Sequence, residues 1–323
     1  MRAKVLITGV SGQDGKLLSE FLLEKDYEIY GLVRRIADRK FTKEGVNVIE
    51  GDIRDTSLIE SIVAKYKFDE IYHLASISDV AYSFEHPSEV YDVNINGTLN
   101  LLNAIRKTSI ASFYFAGTSE MFGKPTTKPQ TEDYPMKPVS PYGVSKLAGY
   151  WSSNLYRQAY NLPIYCGILY NHESKYRPEN FVTTKIIKGV KRYIKTGVKF
   201  SLGNIMALKD WGYAPEYVRG MYEMVHNAPA PNNYILATNE QHSVKEFLDE
   251  VVKLAGIDRM YVDESLYDVT TNFPVVTFEK SLYRPNEADN YMGEYYKAFK
   301  DFGWKPTIRF KELVRKLYEE IEV

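Results

Sequence analysis

A glycine-rich turn near the N-terminus constrains the fold of this chain more than any other segment. Gly9, Gly12 and Gly15 follow a short apolar run at residues 4–8, which is rich in β-branched side chains and predicts a buried strand. The residues after the turn, 13–25, place leucines and a phenylalanine at helical spacing. A strand that passes through closely spaced glycines into a helix is typical of the first unit of a dinucleotide-binding fold.

The chemistry of the turn supports this interpretation. Glycine permits a tight turn and lets the backbone approach a pyrophosphate closely. The N-terminus of the following helix adds N–H groups and a partial positive charge. We therefore expect Gly9, Gly12 and Gly15, together with Gln13 and Asp14, to bind the phosphates of a dinucleotide. An ordinary glycine-rich loop is the alternative.

Strand and helix patterns alternate through the first half of the chain. Further strands are predicted at residues 28–33, 46–50, 70–74, 112–116 and 164–170, and helices at 57–65, 93–107 and 142–160. This alternation predicts a doubly wound parallel sheet with helices on both faces, which is an α/β fold of the Rossmann type.

The pattern becomes irregular after residue 170, where prolines interrupt shorter strands. We predict a dinucleotide-binding domain over residues 1–170, to which residues of about 210–236 return. Residues 171–209 and 237–323 are assigned to a smaller α/β domain that binds the substrate. No repeat or low-complexity linker separates the two parts in the sequence, so we expect them to pack together.

Composition limits the classes of partner. The 323 residues carry a formal charge of -1, which predicts neither a nucleic-acid nor a membrane partner. The apolar stretch at the N-terminus is too short for a signal peptide or a membrane span. The single cysteine, Cys166, lies in an apolar run and is expected to be a buried thiol, as in a reducing cytoplasm. No His-x-x-x-His or Cys-x-x-Cys pair occurs, so no metal site is predicted.

The end of the second predicted strand selects between NAD and NADP. An acidic residue there would bind the 2′-hydroxyl of the adenosine ribose, whereas the guanidinium groups of Arg34 and Arg35 suit a 2′-phosphate. The sequence therefore predicts NADP, with a pair of ordinary surface arginines as the alternative. Contacts with the adenine and the ribose are expected at the ends of the next two strands: Asp52, Ile53, Leu74, Ala75 and Ser76.

A tyrosine and a lysine four residues apart, Tyr142 and Lys146, begin the helix predicted after the fifth strand. At this spacing both side chains lie on one helix face. The lysine can lower the pKa of the tyrosine and hold the nicotinamide ribose. The phenolate then takes a proton from a substrate hydroxyl while hydride leaves the same carbon. A second such pair, Tyr296 and Lys300, lies near the chain end and is interpreted as accidental.

A glutamate adds a function that a simple dehydrogenase does not need. Thr118 and Glu120 follow the fifth predicted strand, at the sheet edge where parallel α/β enzymes carry their chemistry. The Thr118 hydroxyl can bond the substrate oxygen, and Glu120 can remove a proton from the neighbouring carbon. A capping or salt-bridged carboxylate is the alternative for Glu120, but its place beside the other groups favours catalysis.

The chain resembles the extended short-chain dehydrogenase/reductases, and among them most closely the GDP-mannose 4,6-dehydratases. The resemblance covers nearly the whole length. It rests on these motifs: ITGVSGQDG at 7–15, GLVRR at 31–35, GTSEMFG at 117–123, SPYGVSK at 140–146, GILYNHES at 167–174, FVTTK at 181–185, SLGN at 201–204, KDWGYAPEYV at 209–218, YRPNE at 283–287 and FGWKP at 302–306.

The resemblance implies a hydro-lyase of nucleotide-sugar metabolism that converts GDP-mannose to GDP-4-keto-6-deoxymannose. Tyr142, with Lys146, would oxidise C4 of the hexose, and Glu120 would remove the proton from C5. Water would leave from C6, to which the hydride would return. Ser119 is a further candidate catalytic residue, because it stands where some related sugar-nucleotide dehydratases carry an aspartic acid. The cofactor would be regenerated in each cycle.

The same resemblance implies the substrate contacts with a GDP-hexose: Asn171, Phe181, Val182, Lys185, Lys209, Arg284 and Glu287. Three features depart from the family pattern. Lys209 replaces an arginine, Asp79 replaces a histidine near the expected hexose pocket, and the segment after Arg35 is short. The family also implies a homodimer or homotetramer that pairs through the helices at 142–160 and 93–107.

Two other functions are compatible with parts of this pattern. A reductase or epimerase of GDP-4-keto-6-deoxy sugars would share the glycine turn and the tyrosine–lysine pair, but a reductase would consume NADPH. A dinucleotide-sensing protein on the same fold would be expected to lack the pair, so the presence of Tyr142 and Lys146 argues against it.

Overall fold

The computed structural model describes residues 2–108, 112–283 and 290–323. Its strands, in chain order, are β1 Lys4–Thr8, β2 Glu28–Val33, β3 Asn47–Glu50, β4 Glu70–His73, β5 Ser112–Thr118, β6 Ile164–Leu169, β7 Asn171–Glu173, β8 Phe200–Leu202, β9 Leu208–Lys209, β10 Trp211–Tyr213, β11 Asn233–Leu236, β12 His242–Ser243, β13 Arg259–Val262, β14 Ser265–Asp268 and β15 Phe273–Phe278.

The α-helices are α1 Gln13–Glu24, α2 Thr56–Tyr66, α3 Val80–Glu85, α4 Pro87–Tyr91, α5 Gly97–Thr108, α6 Pro141–Tyr160, α7 Val182–Thr196, α8 Ala214–Asn227, α9 Val244–Leu254, α10 Tyr296–Phe302 and α11 Phe310–Glu320. Short 3₁₀ helices occur at Ile36–Phe41, Ser119–Phe122 and Lys280–Leu282, and a π-helical turn at Asp92–Asn96 precedes α5.

The central sheet has seven strands in the order β11-β6-β5-β4-β1-β2-β3, and every pairing in it is parallel. The predicted doubly wound α/β fold is therefore confirmed. The strand order reverses at β1, which has β2 on one side and β4 on the other. Such a reversal leaves a crevice at the carboxyl ends of the strands, where ligands bind in open α/β sheets.

Two hydrophobic cores cover the two faces of this sheet, and side chains that alternate along each strand contribute to one core and then to the other. Leu6, Ile71 and Phe113 pack on one face with helices α2, α5 and α6. Their neighbours along the strands, such as Ile7, Tyr72 and Tyr114, pack on the other face with α1 and α8. Because successive side chains of a strand point to opposite faces, apolar residues at consecutive positions produce a sheet that is buried on both sides.

A third core lies beyond the central sheet. Helices α7, α9 and α11 bury their apolar sides against the sheet β13-β14-β15-β8. The segment between α7 and α9 returns to the central sheet, because β11 pairs with β6 at its edge. The side chain of Glu132 accepts a hydrogen bond from Ile235 N of this edge strand at 2.8 Å. The division into two domains stays a prediction.

A buried histidine joins the carboxyl ends of β1 and β4. The two ring nitrogens of His73 lie 2.8 Å from Thr8 Oγ1 and 2.9 Å from Thr98 Oγ1. Burial lowers the pKa of His73 to about 3, so the ring is neutral and acts as one donor and one acceptor. Thr8 Oγ1 also accepts from Ala75 N at 3.2 Å, which fixes the start of the loop after β4.

Some predicted boundaries were wrong by a few residues. The fifth strand continues to Thr118, and the helix predicted from residue 93 is preceded by a π-helical turn. The side chain of Asn94 in that turn exchanges hydrogen bonds with both backbone groups of Ile77, at 2.9 and 3.1 Å, and donates to Ser145 Oγ at 2.9 Å. A local pattern cannot report these long-range bonds.

Helix α6 leaves apolar side chains on its outer side. Trp151 and Leu155 are 59% and 61% exposed, and Val144 lies on the same helical face. Of the helices in the described parts of the chain, none is both long enough and apolar enough to cross a membrane.

Candidate active site

A cavity of about 730 Å³ opens at the carboxyl ends of the central strands. The loops after β1, β2, β4 and β5 form one wall, and α7 with the segments around β7 and β9 forms the other. Nearly all the residues predicted from the sequence to bind cofactor or substrate lie on these walls, although they come from positions throughout the chain.

The glycine turn forms a close cradle at one end of the cavity. Gly9 has a φ of 74°, and a Cβ added there would lie 2.7 Å from Ala75 N. A Cβ at Gly15 would collide with the backbone of Gly9 and Val10. Gly12 is the N-cap of α1 and has no side chain with which to cap this helix end. The cradle therefore fits a pyrophosphate, which needs close backbone approach and N–H donors.

The predicted contacts with the remainder of a dinucleotide are also brought together. Ile53, Leu74, Ala75 and Ser76 line the cavity beside the turn. The Ser76 hydroxyl oxygen is buried and has no hydrogen-bond partner within the described residues. Buried polar atoms are rarely left unpaired, so this oxygen fits a hydrogen bond to a bound ligand.

The two arginines predicted to select the cofactor differ in position. Arg34 lines the cavity, whereas Arg35 lies off its wall with 77% of its side chain exposed. The Arg35 guanidinium donates to Asp38 Oδ1 at 3.2 Å. Asp52 also lines the cavity. The Arg54 guanidinium donates to both of its carboxylate oxygens, to Oδ2 at 2.7 Å and to Oδ1 at 3.0 Å, and these bonds lower the pKa of the Asp52 carboxyl.

The tyrosine and lysine of α6 face the same cavity. Pro141 opens the helix and Ser140 caps it, with Gly143 N donating to Ser140 Oγ at 3.0 Å. The side chains of Tyr142 and Lys146 are both buried, and Lys146 Nζ donates to Ala116 O at 2.7 Å. Burial lowers the pKa of Lys146 to about 8, while the Asp14 carboxylate opposes this shift.

Burial also raises the pKa of Tyr142, although the Thr118 hydroxyl lowers it. Burial thus opposes the effect expected of Lys146, whose own contribution to the pKa of Tyr142 stays a prediction. The physical reason is that removing a phenolate from water costs more than the neighbouring groups recover.

The predicted base lies on the short 3₁₀ helix that follows β5. Thr118 Oγ1 caps this helix by accepting from Glu120 N at 3.3 Å. Thr118 and Glu120 both line the cavity with Tyr142 and Lys146. Ser119 is not brought to the wall with them, because its side chain is buried behind the turn.

The predicted substrate contacts lie across the cavity. Its wall includes the following of them: Asn171, Phe181, Val182, Lys185 and Lys209. Lys209 Nζ lies 5.1 Å from the centre of the Tyr291 ring. Arg284 and Glu287 fall outside the described residues, so their roles stay predictions.

Sequence reasoning missed a buried ion pair that joins the two walls. His172 Nε2 lies 3.0 Å from Asp14 Oδ2, and the imidazole stacks on Tyr217 with ring centres 4.8 Å apart. Burial would raise the pKa of Asp14, but His172 holds it at about 2. Burial lowers the pKa of His172, but Asp14 raises it above its ordinary value. Gln13 Nε2 strengthens this junction by donating to His172 O at 3.0 Å.

Two further groups on the substrate wall were not singled out. The Arg177 guanidinium lies 3.8 Å from the centre of the Phe181 ring and reaches the cavity. Asn180 Nδ2 donates to Asp79 Oδ2 at 2.6 Å and so bridges the cavity mouth from one wall to the other. The motif at 167–174 could have drawn attention to His172, but the partners of these side chains are remote in sequence.

Comparison with known proteins agrees with this geometry. The model of the GDP-mannose 4,6 dehydratase family matches residues 6–317. The chain belongs to this family. It is 41% identical to GDP-mannose 4,6 dehydratase 1 of Arabidopsis thaliana, over 99% of this chain and 90% of that protein. It is 39% identical to GDP-mannose 4,6 dehydratase of Homo sapiens, over 98% of this chain and 90% of that protein.

Solved structures resemble this member of the GDP-mannose 4,6 dehydratase family in fold. UDP-glucose 4-epimerase of Thermotoga maritima, solved with UDP-glucose, superposes with a TM-score of 0.85 at 20% identity and covers 98% of both chains. dTDP-glucose 4,6-dehydratase of Bacillus anthracis, solved with NAD, superposes with a TM-score of 0.82 at 18% identity, over 98% of this chain and 96% of that one. These likenesses show the extended α/β fold.

The described residues contain no group of three or more His, Cys, Asp or Glu side chains that could hold a metal ion.

The ion pair between the walls leads to a stability prediction. We expect Asp14→Asn to lower the free energy of unfolding by about 3 kcal/mol near pH 6, the low end for breaking a buried pair, because 21% of the Asp14 side chain is exposed. The control is Asp26→Asn, which removes a carboxylate from an exposed pair with Arg2 and should have little effect. Urea denaturation measures both.

The pH dependence of this difference follows from the two pKa shifts. The raised pKa of His172 stabilises the fold fully below its unfolded value of 6.5, and this contribution is lost as pH rises through the folded pKa. The lowered pKa of Asp14 stabilises the fold above 3.8, and this contribution is lost as pH falls through about 2. The effect of Asp14→Asn should therefore shrink above neutral pH. An effect that grows with rising pH would contradict the ion pair.

Proposed function

We propose that this protein converts GDP-mannose to GDP-4-keto-6-deoxymannose and water. The observation that carries the proposal is the position of Glu120, which lines one cavity with Tyr142 and Lys146. A simple dehydrogenase needs the tyrosine and lysine, whereas a 4,6-dehydratase also needs a base at C5. Membership of the GDP-mannose 4,6 dehydratase family supports the same substrate.

The residues act in a defined order in the proposed reaction. A bound nicotinamide would supply the hydride chemistry that links C4 and C6 of the hexose. Tyr142, ionised to the phenolate that Lys146 and a bound oxidised nicotinamide would favour, would take the proton of the C4 hydroxyl, which Thr118 Oγ1 would help to orient. The resulting ketone acidifies C5, and the Glu120 carboxylate removes the C5 proton. That proton leaves with the C6 hydroxyl as water. A proton taken up from solvent at C5 then completes the product, and Tyr142 releases to solvent the proton that it took from the C4 hydroxyl.

Positive side chains on the substrate wall suit a nucleoside diphosphate. Arg177, Lys185 and Lys209 all reach the cavity. A guanidinium or ammonium group there would pair with the diphosphate, and Asn171 would donate hydrogen bonds. The bridge between Asp79 and Asn180 lies at the mouth of the same cavity and would have to move or bond to the hexose when the sugar enters.

A pyridine nucleotide is the cofactor that the cradle fits, and related solved structures contain NAD. We propose NADP for this protein, because Arg34 lies on the wall where the adenosine ribose would be bound. Asp38 also lines the wall, but its carboxylate is paired with Arg35 and is therefore partly neutralised. The remaining positive charge favours a 2′-phosphate.

We further propose a cytoplasmic homodimer. The exposed face of α6, formed by Val144, Trp151 and Leu155, would pair with the same face of a second copy. Exposed apolar side chains at this spacing on a helix are typical of helix–helix interfaces.

The function is tested by incubating the purified protein with NADP and GDP-mannose, without added reductant, and analysing the product by mass spectrometry. A product lighter by one water, with no net change in NADP, is expected. NADPH consumption when a GDP-4-keto-6-deoxy sugar is supplied, with no dehydration of GDP-mannose, would instead indicate the reductase class.

The same assay tests the base. Replacing Glu120 by glutamine keeps its size but removes the carboxylate, so we expect a loss of dehydration of about 10³-fold, within the range for a general base. Affinity for NADP, measured by calorimetry, should stay unchanged. Turnover close to wild type would remove Glu120 from the mechanism.

Cofactor selection is tested with Arg34→Ala and Arg35→Ala. Loss of a charge-assisted hydrogen bond costs about 1.5–3 kcal/mol, so Arg34→Ala should weaken NADP binding by roughly ten- to a hundredfold and NAD binding far less. Arg35→Ala serves as the matched comparison and should have the smaller effect, because this side chain lies off the cavity wall. Equal weakening of both dinucleotides by Arg34→Ala would show that it does not contact a 2′-phosphate.

The dimer is tested by placing glutamate at both Trp151 and Leu155 and measuring sedimentation. Two buried carboxylates would oppose association, so the variant should be monomeric while wild type is dimeric. Phe273→Glu is the control, since this side chain is 66% exposed on a different surface. A wild-type monomer would contradict the proposed interface.

A further inference from the structure

A short segment near the C-terminus, residues 290–294, lies behind the proposed base, and its residues are not among those that line the cavity. We call this segment the strap. Its backbone is bonded to Gln130, with Gln130 N donating to Met292 O at 2.8 Å and Glu294 N donating to Gln130 O at 2.9 Å. The Gln130 side chain also accepts from Met292 N at 3.0 Å and from Tyr170 OH at 3.0 Å. These bonds hold the strap against Gln130, and Gln130 is held in turn by Tyr170 at the end of β6.

A buried carboxylate holds the other edge of the strap. Asp210 Oδ2 accepts from Gly293 N at 3.2 Å, and its Oδ1 accepts from Thr238 N and Thr238 Oγ1 at 2.8 and 2.6 Å. A Cβ at Gly293 would lie only 2.5 Å from the Cβ of Ala237, so the strap is packed closely against the end of β11. The strap is therefore bonded on both sides and has little freedom to shift.

The side chain that this arrangement directs toward the base is Tyr291. Its ring is 1% exposed and packs edge-on against Tyr170, with ring centres 6.4 Å apart. The Tyr291 hydroxyl donates to Glu120 Oε2 at 3.3 Å, across 171 positions of sequence. A buried phenol therefore holds one oxygen of a carboxylate that stands on a short 3₁₀ turn.

We propose that Tyr291 is a positioning residue for proton transfer at Glu120, an inference that rests on the proposed dehydratase function. The Tyr291 hydroxyl restrains Oε2 and so presents the other carboxylate oxygen, Oε1, to the substrate carbon. Glutamate has three side-chain torsions, and the backbone of its 3₁₀ turn does not restrain the carboxylate. Correct orientation of a reacting group supplies a large part of enzymatic rate enhancement, and small misplacements are costly.

The role predicts an effect confined to one step. Tyr291→Phe removes a single oxygen and leaves the buried ring in place. Oxidation at C4 depends on Tyr142 and Lys146 and should continue, whereas removal of the C5 proton should slow. We expect kcat to fall by roughly ten- to a hundredfold, as for a misplaced catalytic group, with KM for GDP-mannose and affinity for NADP unchanged.

Spectroscopy separates this effect from a general loss of structure. If elimination becomes the slow step, reduced nicotinamide should accumulate during turnover and be visible at its absorption band, whereas wild type should show little. The control is Tyr234→Phe, which removes another buried phenol that donates to a carboxylate, Asp301 Oδ2 at 3.0 Å, away from the cavity. This control should retain wild-type kcat and show no accumulation.

A double variant tests whether Tyr291 acts through Glu120. Combining Tyr291→Phe with Glu120→Gln should lower kcat no further than Glu120→Gln alone, because the hydroxyl then has no carboxylate to position. Additive losses would overturn the proposal, as would wild-type kcat in Tyr291→Phe when the wild-type protein dehydrates GDP-mannose. Failure of wild type to dehydrate GDP-mannose would instead overturn the proposed function, and the role of Tyr291 with it.

Discussion

The reversal of strand order at β1 is the constraint on which the site depends. Because β2 and β4 flank β1 on opposite sides, the loops after these strands separate and leave a crevice. The neutral imidazole of His73, bonded to Thr8 and Thr98, ties the strand ends together below it. Thr8 Oγ1 also accepts from Ala75 N, so the loop at Ala75 lies close to the turn at Gly9. Only a residue without a side chain fits at Gly9.

A second constraint joins this crevice to the wall that faces the substrate. Asp14 belongs to the glycine turn, and His172 lies on β7 beside Asn171. Their ion pair, together with the bond from Gln13 to His172 O, holds the two walls in one arrangement. The pair also places a negative charge near Lys146, which partly restores the lysine pKa that burial lowers. Structural and electrostatic roles therefore coincide at Asp14.

The sequence was sufficient for features that depend on local order. The run at residues 4–8, the glycines and the helix after them predict β1 and α1 because each signal is contiguous, and the Tyr142–Lys146 spacing predicts a shared helix face. The sequence also predicts that residues of about 210–236 return to this domain, but it does not specify that β11 pairs with β6 at the sheet edge, because that contact is long-range. The sequence also did not indicate that Arg35 and Ser119 lie off the cavity wall, because the direction of a side chain depends on tertiary neighbours such as Asp38. The contact between Glu120 and Tyr291 spans 171 positions and depends wholly on tertiary packing.

The proposed catalytic side chains stand on two different kinds of structural element. Tyr142 and Lys146 stand on a long helix packed against the central sheet. Glu120 stands on a turn of 3₁₀ helix, and a strap from the far end of the chain contacts its carboxylate. Oxidation at C4 would thus depend on the sheet and α6, and water loss would depend in addition on the strap. A change in the strap could alter the balance between the two steps without disturbing the cofactor cradle.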